Sequence, residues 1–440
     1  MKLAVVLALG VSVTAFADDA AAPVKGLLAD PAQLATWLRD RDPIVESNHA
    51  KVEAAHELGE QARVLPNPQL SFTAGGFVLG NTNSSSDPQV PLGLSQTTNY
   101  EVGVTELVEL GKRGPRRHAA DTRVREASEN SVGALGDRLN DATTALGKLT
   151  YAASKRDVAA ANLDAAKKLR DNEKIRVDHQ DLSPLEFARI ELDTEELELA
   201  LGKAEAELAG AIATCSATLY ARCTPEGLDA QALDAGAPLP PALPETATAV
   251  ENRPARVAQK LEAAALADDA ELANARKIPD PTFGASYLLD NLLVAGNQHQ
   301  QLVFSVAIPL PFFDRGNHDA AAARANARAI AAEDKAAVRE AHGVVDALLA
   351  QHATLKSTLA RLETDQVPKS TQIIVQTRKA FDLGQARLAD LLLVERAHRD
   401  LLLEVLDTRF DLFNVRAQLR QALGLDDEVA RGISGGTRER

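Results

Sequence analysis

The sequence contains few of the residues that carry metal or catalytic chemistry. Its one Met is the first residue, and its nine His include no His-x-x-x-His pair and form no cluster with the two Cys. The dipeptide Gly111-Lys112 lacks the upstream glycine and the following Ser or Thr of a phosphate-binding loop. These absences predict a protein that is not an enzyme and that holds neither a cofactor nor a metal ion.

A surplus of positive charge is also absent. The chain has 48 Lys and Arg against 62 Asp and Glu, which gives a formal net charge of −14 at pH 7. Nucleic-acid binding requires surplus cations that neutralise phosphates. The sequence therefore predicts no nucleic-acid partner.

Long apolar runs are missing beyond the N-terminus. Residues 1–17 combine Lys2, a short apolar segment and the ending Ala15-Phe16-Ala17, which is the order of a cleaved secretory signal peptide. The run is shorter than the about 20 residues of a membrane-spanning helix, and the alternative is a buried first helix. Charges recur every few residues afterwards, so we expect an exported chain to meet a membrane through β-strands or at the surface.

The two cysteines, Cys215 and Cys223, would be permitted to form a disulfide after export. On one continuous helix, eight residues rise about 12 Å, which is beyond the reach of a disulfide. A bridge therefore requires the helix to end between them. The alternative is a pair of small buried thiols.

The chain contains an internal repeat of about half its length. The segment LPNPQLSF at 65–72 recurs as IPDPTFGA at 278–285, and residues 177–185 resemble residues 383–391. Each half has the order helix, Pro-x-Pro, two strands, very long helix, short break and return helix. The predicted organisation is a signal peptide 1–17, a first repeat 18–223, an extended Pro-rich connector 224–248, a second repeat 249–424 and a C-terminal tail 425–440.

Four segments alternate apolar and polar residues with a period of two. Each has about 10 residues, the length of a tilted membrane-spanning strand, and the alternation is typical of outer-membrane barrels. The alternative is an ordinary soluble sheet. The polar segment Asn81–Asp87 suits an extracellular turn or any surface loop. The predicted lipid-facing residues are Leu70, Phe72, Tyr100, Val102, Val104, Phe283, Tyr287, Leu302, Phe304 and Val306.

Four strands are too few for a membrane barrel, because the smallest contain eight. Spanning strands would therefore be pooled between protomers, and a trimer would supply twelve. The remaining chain is rich in helix formers. Helices are predicted over 32–64, 115–177, 185–221, 249–277, 317–383 and 390–423. The two longest would each run roughly 100 Å.

Taken together, these features resemble the TolC-type outer-membrane efflux protein family over nearly all of the mature chain. The marks are the Pro-x-Pro entry to each hairpin, Gly111-Lys112-Arg113 after the first hairpin, IPLPFFDRG at 308–316 after the second, and FDLGQARLADLL at 381–392. Segment 308–316 looks most like the branch that serves heavy-metal-cation efflux.

The resemblance implies a mostly α fold with a small membrane β-barrel portion. A homotrimer would form a 12-stranded β-barrel in the outer membrane of a Gram-negative bacterium, in contact with its lipid, continued by a long periplasmic α-helical barrel. It would act as the passive conduit of a tripartite efflux system, joined to a periplasmic adaptor protein and an inner-membrane pump. The alternative is a soluble periplasmic coiled-coil adaptor or scaffold.

The resemblance also implies roles for residues near the helix breaks. Asp390 falls where the family has an acid that constricts the pore, although the next expected acid is Leu393 here. The alternative is that Asp390 stabilises the first turn of its helix through the helix dipole. The residues expected to form the adaptor-docking tips are Leu182, Ser183, Gly384 and Leu388.

A cationic cluster lies where the first very long helix begins, and it consists of Lys112, Arg113, Arg116, Arg117 and His118. Cations oppose the helix dipole at that end, so another interaction should favour them. We expect anionic lipid headgroups there. The alternative is a solvated turn with neighbouring acidic residues.

Overall fold

The computed structural model describes residues 21–76, 98–291 and 299–435. The predicted signal peptide 1–17 and the polar segment Asn81–Asp87 lie outside these residues. The chain divides into two compact units. The first consists of Met1–His49, Asn130–Arg256 and Ala336–Arg440, and the second consists of Ala50–Glu129 and Val257–Lys335.

The described residues are mostly helical. The helices are α1 Val24–Ala29, α2 Pro31–Arg41, α3 Pro43–Gln61, α4 Arg113–Asp178, α5 Pro184–Leu219, α6 Ala232–Ala235, α7 Thr246–Glu251, α8 Pro254–Ala275, α9 Asn317–Arg361, α10 Val367–Asp382, α11 Leu388–Ala422 and α12 Leu425–Gly435. The strands are β1 Gln69–Gly75, β2 Asn99–Leu107, β3 Thr282–Asp290 and β4 Gln300–Ala307. Among the described helices, none is both long and apolar enough to cross a bilayer.

Proline accounts for three differences from the predicted helices. The helix expected over 32–64 is divided at Pro43, and the helix expected over 249–277 is divided at Pro254. Each Pro opens the second helix of its pair, where the missing N–H needs no partner. The helix expected over 317–383 contains a π-helical turn at Leu362–Gln366. Pro368 follows that turn, and its ring would crowd the carbonyl four residues earlier in a regular α-helix.

The second unit contains one antiparallel sheet of four strands in the order β1-β2-β3-β4. Leu70 lies opposite Val104, and Val102 lies opposite Tyr287. Because directly opposed residues share a face, this register places all ten predicted lipid-facing residues on one face. Each of them is at least 41% exposed. The chain therefore has an apolar sheet face without a covering layer among the described residues.

The first unit has a core of helix-packed apolar side chains that includes Leu139, Leu146 and Phe413, all 0% exposed. Helix α5 ends in this core at Leu219, and Tyr220 follows it in the left-handed conformation at φ 51°. The end of the helix brings Cys215 and Cys223 together in a disulfide. This is the bridged alternative of the sequence analysis, and the helix ends between the two cysteines as that alternative requires.

Parts of the predicted connector and of the predicted C-terminal tail are packed into the first unit. The connector 224–248 includes helix α6, and its Leu233 is fully buried. The expected tail 425–440 begins with helix α12, whose Ala430 is also fully buried. Leu233 and Ala430 belong to the same buried core cluster, so both segments contribute side chains to the packed interior of the first unit.

A buried ion pair joins the connector, α11 and α12. Arg420 donates from Nε and Nη2 to Oδ1 of Asp426 over 2.9 and 2.7 Å, and it also donates to the carbonyl of Pro238. The two side chains are 8% and 5% exposed. Burial raises the pKa of Asp426, and the guanidinium of Arg420 opposes that shift. The pair therefore joins the C-terminal end of α11 to the connector and to α12.

Candidate functional site at the paired helix turns

Two tight turns in the first unit follow helices α4 and α10. Gln180, at φ 64°, lies between α4 and α5, and Gly384, at φ 71°, lies between α10 and α11. A left-handed residue is a common way to stop a helix. Ser183 then starts α5 by accepting the Glu186 N–H over 3.2 Å, and Pro184 fixes the first helical residue.

Large apolar side chains hold the two turns together. Leu182 and Leu388 are 8% and 2% exposed, and they share a buried cluster with Ile190, Phe381 and Leu391. These two leucines therefore pack the turns against each other and present little surface to a docking partner. The other two expected docking residues, Ser183 and Gly384, are exposed.

Asp390 is the third residue of α11 and is exposed. Its Oδ2 accepts the backbone N–H of Arg387 over 3.3 Å. An acid in the first turn also interacts favourably with the helix dipole. Within the single chain, the arrangement matches the capping alternative. Leu393, one turn further along, is 68% exposed.

A group of ion pairs connects α5 and α11 beyond the turns. Asp193 accepts two hydrogen bonds from Arg399, over 3.2 and 2.8 Å. Arg396 donates to Glu196 over 2.6 Å and lies 3.7 Å from Asp193. The side chains of Asp193 and Arg399 are 11% and 13% exposed. A two-bond arginine–carboxylate contact of low exposure is directional and strong, so it fixes one helix relative to the other.

A cavity of about 340 Å³ lies beside these ion pairs. Its charged lining residues are Lys155, Asp193, Glu196, Arg396, Arg399 and Asp400. Both signs of charge are present, and the acids of α5 pair with the arginines of α11. Among the residues that the structure describes, no group of three or more His, Cys, Asp or Glu is arranged to hold a metal ion. The charged groups at this cavity therefore link α5 to α11 through ion pairs that can break and re-form.

Burial perturbs two carboxylates near the turns. It raises the pKa of Glu395, against the opposing effect of Arg378 and Arg399. It also raises the pKa of Glu173, which accepts a 2.9 Å hydrogen bond from Arg176. The turn region therefore contains carboxylates whose charge depends on nearby guanidinium groups.

Asp193 and Arg399 were not among the site residues predicted from the sequence. Neither residue belongs to the segments that carry the family resemblance. A usable signal was the opposition of charge between the return helices: α5 carries a run of acids near Asp193, while Arg396 and Arg399 lie three residues apart on α11. Residues three apart share a helix face, so the two arginines were candidates for pairing.

The cationic cluster at the start of α4 belongs to the second unit and has acidic partners. Lys112 lies 2.6 Å from Asp280, Arg116 pairs with Glu109, and His118 lies 2.6 Å from Asp268. Lys112, Arg116 and His118 therefore match the alternative with neighbouring acids, and headgroup binding by the cluster stays a prediction.

Neither a protein-family profile nor a curated protein sequence matches the chain. Solved structures do resemble it. The transmembrane-channel-forming protein CusC has a TM-score of 0.74 at 14% identity, with 91% of each chain covered. The outer membrane protein VceC from Vibrio cholerae has 0.70 at 17%, covering 90% of this chain and 96% of VceC. The open state of the Neisseria gonorrhoeae outer membrane channel MtrE has 0.70 at 16%, covering 90% and 88%. The chain therefore has the fold of these channel proteins.

Proposed function

We propose that this chain is a TolC-type outer-membrane efflux protein, the passive channel of a tripartite efflux system in a Gram-negative bacterium. The observation that carries the proposal is the fold shared with outer-membrane channels over at least 90% of the chain. The exposed apolar face of the sheet supports it, because lipid would cover a face that is costly to leave in water. A soluble periplasmic scaffold would leave that face uncovered and is not favoured.

The edges of the sheet support a trimeric assembly. Strands β1 and β4 are the outer strands, and each has one free edge within the described residues. Free strand edges are not tolerated in lipid. Pairing β4 of each protomer with β1 of the next removes all edges, and three copies give a twelve-stranded barrel. The two halves of the chain, with their similar order of elements, are the two repeats of each protomer.

Assembly and localisation test this proposal together. We expect the chain to sediment with outer membranes after fractionation and to give the mass of three protomers by native mass spectrometry in detergent. The physical reason is that the apolar face needs lipid while the strand edges need partners. A monomer with intact β structure, found in the soluble periplasmic fraction, would exclude the channel and leave the scaffold alternative.

The paired turns are the proposed contact with a periplasmic adaptor, which links the channel to an inner-membrane pump. Ser183 and Gly384 are the exposed members of the predicted docking set. If Gly384→Leu trimers still retain the adaptor on co-purification, Gly384 has no docking role.

Heavy-metal cations are the proposed cargo, because the sequence of segment 308–316 looks most like the branch that serves heavy-metal-cation efflux. Unchanged metal tolerance in a deletion strain would remove that assignment.

A second prediction concerns Asp390. Three copies near the axis would attract cations to a narrow mouth, and the helix-capping role does not prevent this because the side chain is exposed. We expect Asp390→Asn, which can still accept the capping hydrogen bond, to lower cation selectivity and block by multivalent cations in single-channel recordings. Glu186→Gln, in the first turn of α5, is the matched control. Equal selectivity in wild type and Asp390→Asn would leave only the capping role.

A further inference from the structure

A strip of exposed apolar side chains continues past the end of β4 in the second unit. Val306, Ile308, Leu310 and Phe312 occupy alternate positions and are 54–69% exposed, and Phe313 is fully exposed. Only Val306 belongs to the strand. The apolar surface of the sheet therefore extends into the segment that leads to helix α9.

Two cations lie against this strip. Lys277, two residues beyond the end of α8, and Arg315, just before α9, line one pocket together with Leu310, Pro311, Phe312 and Asn317. The volume of the pocket is about 470 Å³. No carboxylate is among these lining residues. The pocket thus combines an apolar wall with two positive charges.

The charges nearby are otherwise balanced. Arg276 pairs with Asp319, and Lys112 pairs with Asp280. By contrast, Lys277 donates to the neutral side chain of Asn274 over 3.3 Å, and Arg315 donates from Nε to the carbonyl of Pro311 over 3.2 Å. Within the described residues, neither Lys277 nor Arg315 forms an ion pair with a carboxylate. The acid closest to Arg315 in sequence is Asp314, and its Oδ1 accepts a hydrogen bond from the N–H of Gly316 over 2.8 Å.

The loop that carries Arg315 is held in place by close backbone packing. Gly316 has φ 69°, and a Cβ at this position would overlap the carbonyl of Ala273 on α8. No other residue would allow this approach without displacement of the backbone. Close packing of the loop on α8 keeps Arg315 near Lys277 before any ligand arrives.

From this arrangement we infer that Lys277 and Arg315 bind the phosphate of an anionic glycerophospholipid, whose acyl chains lie along Ile308, Leu310 and the two phenylalanines. The inference rests on the proposed outer-membrane location, and it assigns a lipid-binding site at the end of the sheet. Guanidinium and ammonium groups bind phosphate oxygens through charge-assisted hydrogen bonds. Basic residues next to apolar surface favour anionic over zwitterionic lipid. The adjoining apolar strip identifies the ligand as a lipid in preference to free phosphate.

Native mass spectrometry of the detergent-solubilised trimer tests the site. Phosphatidylglycerol and phosphatidylcholine with identical acyl chains are titrated in parallel, and inorganic phosphate is added as a competitor. We expect wild type to retain phosphatidylglycerol preferentially. The Lys277→Gln/Arg315→Gln variant should lose about tenfold or more in apparent affinity for it, since two cations are removed from an anionic contact.

Two further variants make the result specific. Arg328→Gln/Lys335→Gln removes the same charges from exposed positions on α9 and should retain lipid as wild type does. Phe312→Ser/Phe313→Ser should weaken retention of both lipids. Equal retention of the two lipids by wild type, or undiminished phosphatidylglycerol binding by the Lys277/Arg315 variant, would overturn the inference. Displacement of lipid by inorganic phosphate at equal concentration would show a free-anion site and overturn it too.

The same experiment separates this inference from the proposed function. A chain that is monomeric and soluble during preparation contradicts the channel itself. A trimer from outer membranes that shows no lipid preference contradicts only the lipid site.

Discussion

Replacing Arg420 with Met is expected to lower the free energy of unfolding by about 3–5 kcal/mol, because the carboxylate of Asp426 would remain buried without its partner. Both side chains are almost completely buried. The measurement is the unfolding midpoint in urea, followed by circular dichroism of the detergent-solubilised protein. The double variant Arg420→Met/Asp426→Leu should recover much of the loss, since it leaves no unpaired charge.

Arg39→Met is the matched control. Arg39 pairs with Asp40 on the surface, and their side chains are 42% and 50% exposed. Exposed pairs contribute about 0–1 kcal/mol, so this variant should unfold near wild type. Equal midpoints for Arg420→Met and Arg39→Met would show that the buried pair adds no stability.

The free energy of unfolding that Arg420→Met loses relative to wild type should depend on pH. Burial raises the pKa of Asp426 in the folded protein above its value in the unfolded chain, and loss of Arg420 removes the opposing effect. A raised folded-state pKa means that protonation favours the folded state, so stability falls as the pH rises through the folded-state pKa. We therefore expect the gap between wild type and variant to narrow at acidic pH. A gap that widens on acidification would contradict this electrostatic explanation.

Replacing Asp193 with Ala is expected to let the two helix hairpins at the turns separate more readily. The change removes both hydrogen bonds to Arg399, whose side chain is only 13% exposed. Hydrogen bonds to charged groups contribute about 1.5–3 kcal/mol each. In the proposed channel, the population of widened pores should therefore rise by about tenfold or more, as 1.4 kcal/mol corresponds to a factor of ten.

Single-channel conductance of the trimer in planar bilayers measures this change. Glu198→Ala is the control on the same helix, because Glu198 pairs with Lys167 at 42–50% exposure and its loss should have little effect. Asp193→Ala/Arg399→Met removes both charges and should give an intermediate result. Identical conductance in Asp193→Ala and wild type would show that these ion pairs do not restrain the pore.

Local sequence patterns predicted the strands and most long helices because those signals are short-range. Alternation placed the ten apolar strand residues, and the long run without internal proline placed α4. The burial of Leu182 and Leu388 was not predictable in the same way, since it depends on how two turns distant in sequence pack together. The Asp193–Arg399 contact likewise joins residues 206 positions apart. The opposite charges of α5 and α11 made both residues candidates, but one sequence does not show which acid pairs with which arginine.

The π-helical turn was also beyond a prediction from proline position alone. Pro368 was visible as the single proline in a long helical segment, but a proline can end a helix, kink it or be absorbed by a local change in hydrogen bonding. In the structure, a local change in hydrogen bonding at Leu362–Gln366 accommodates the proline. Packing of the flanking helices decides between these outcomes, and such packing is a property of the folded chain.

The disulfide between Cys215 and Cys223 has a consequence for the order of events during biosynthesis. Its two cysteines are only eight residues apart in sequence, and both precede the second repeat. The bridge can therefore close while the second repeat is still being synthesised or exported, with no need for contacts made by later residues. Oxidation would fix the backbone at the end of α5 early, before the later helices of the chain pack into the same core.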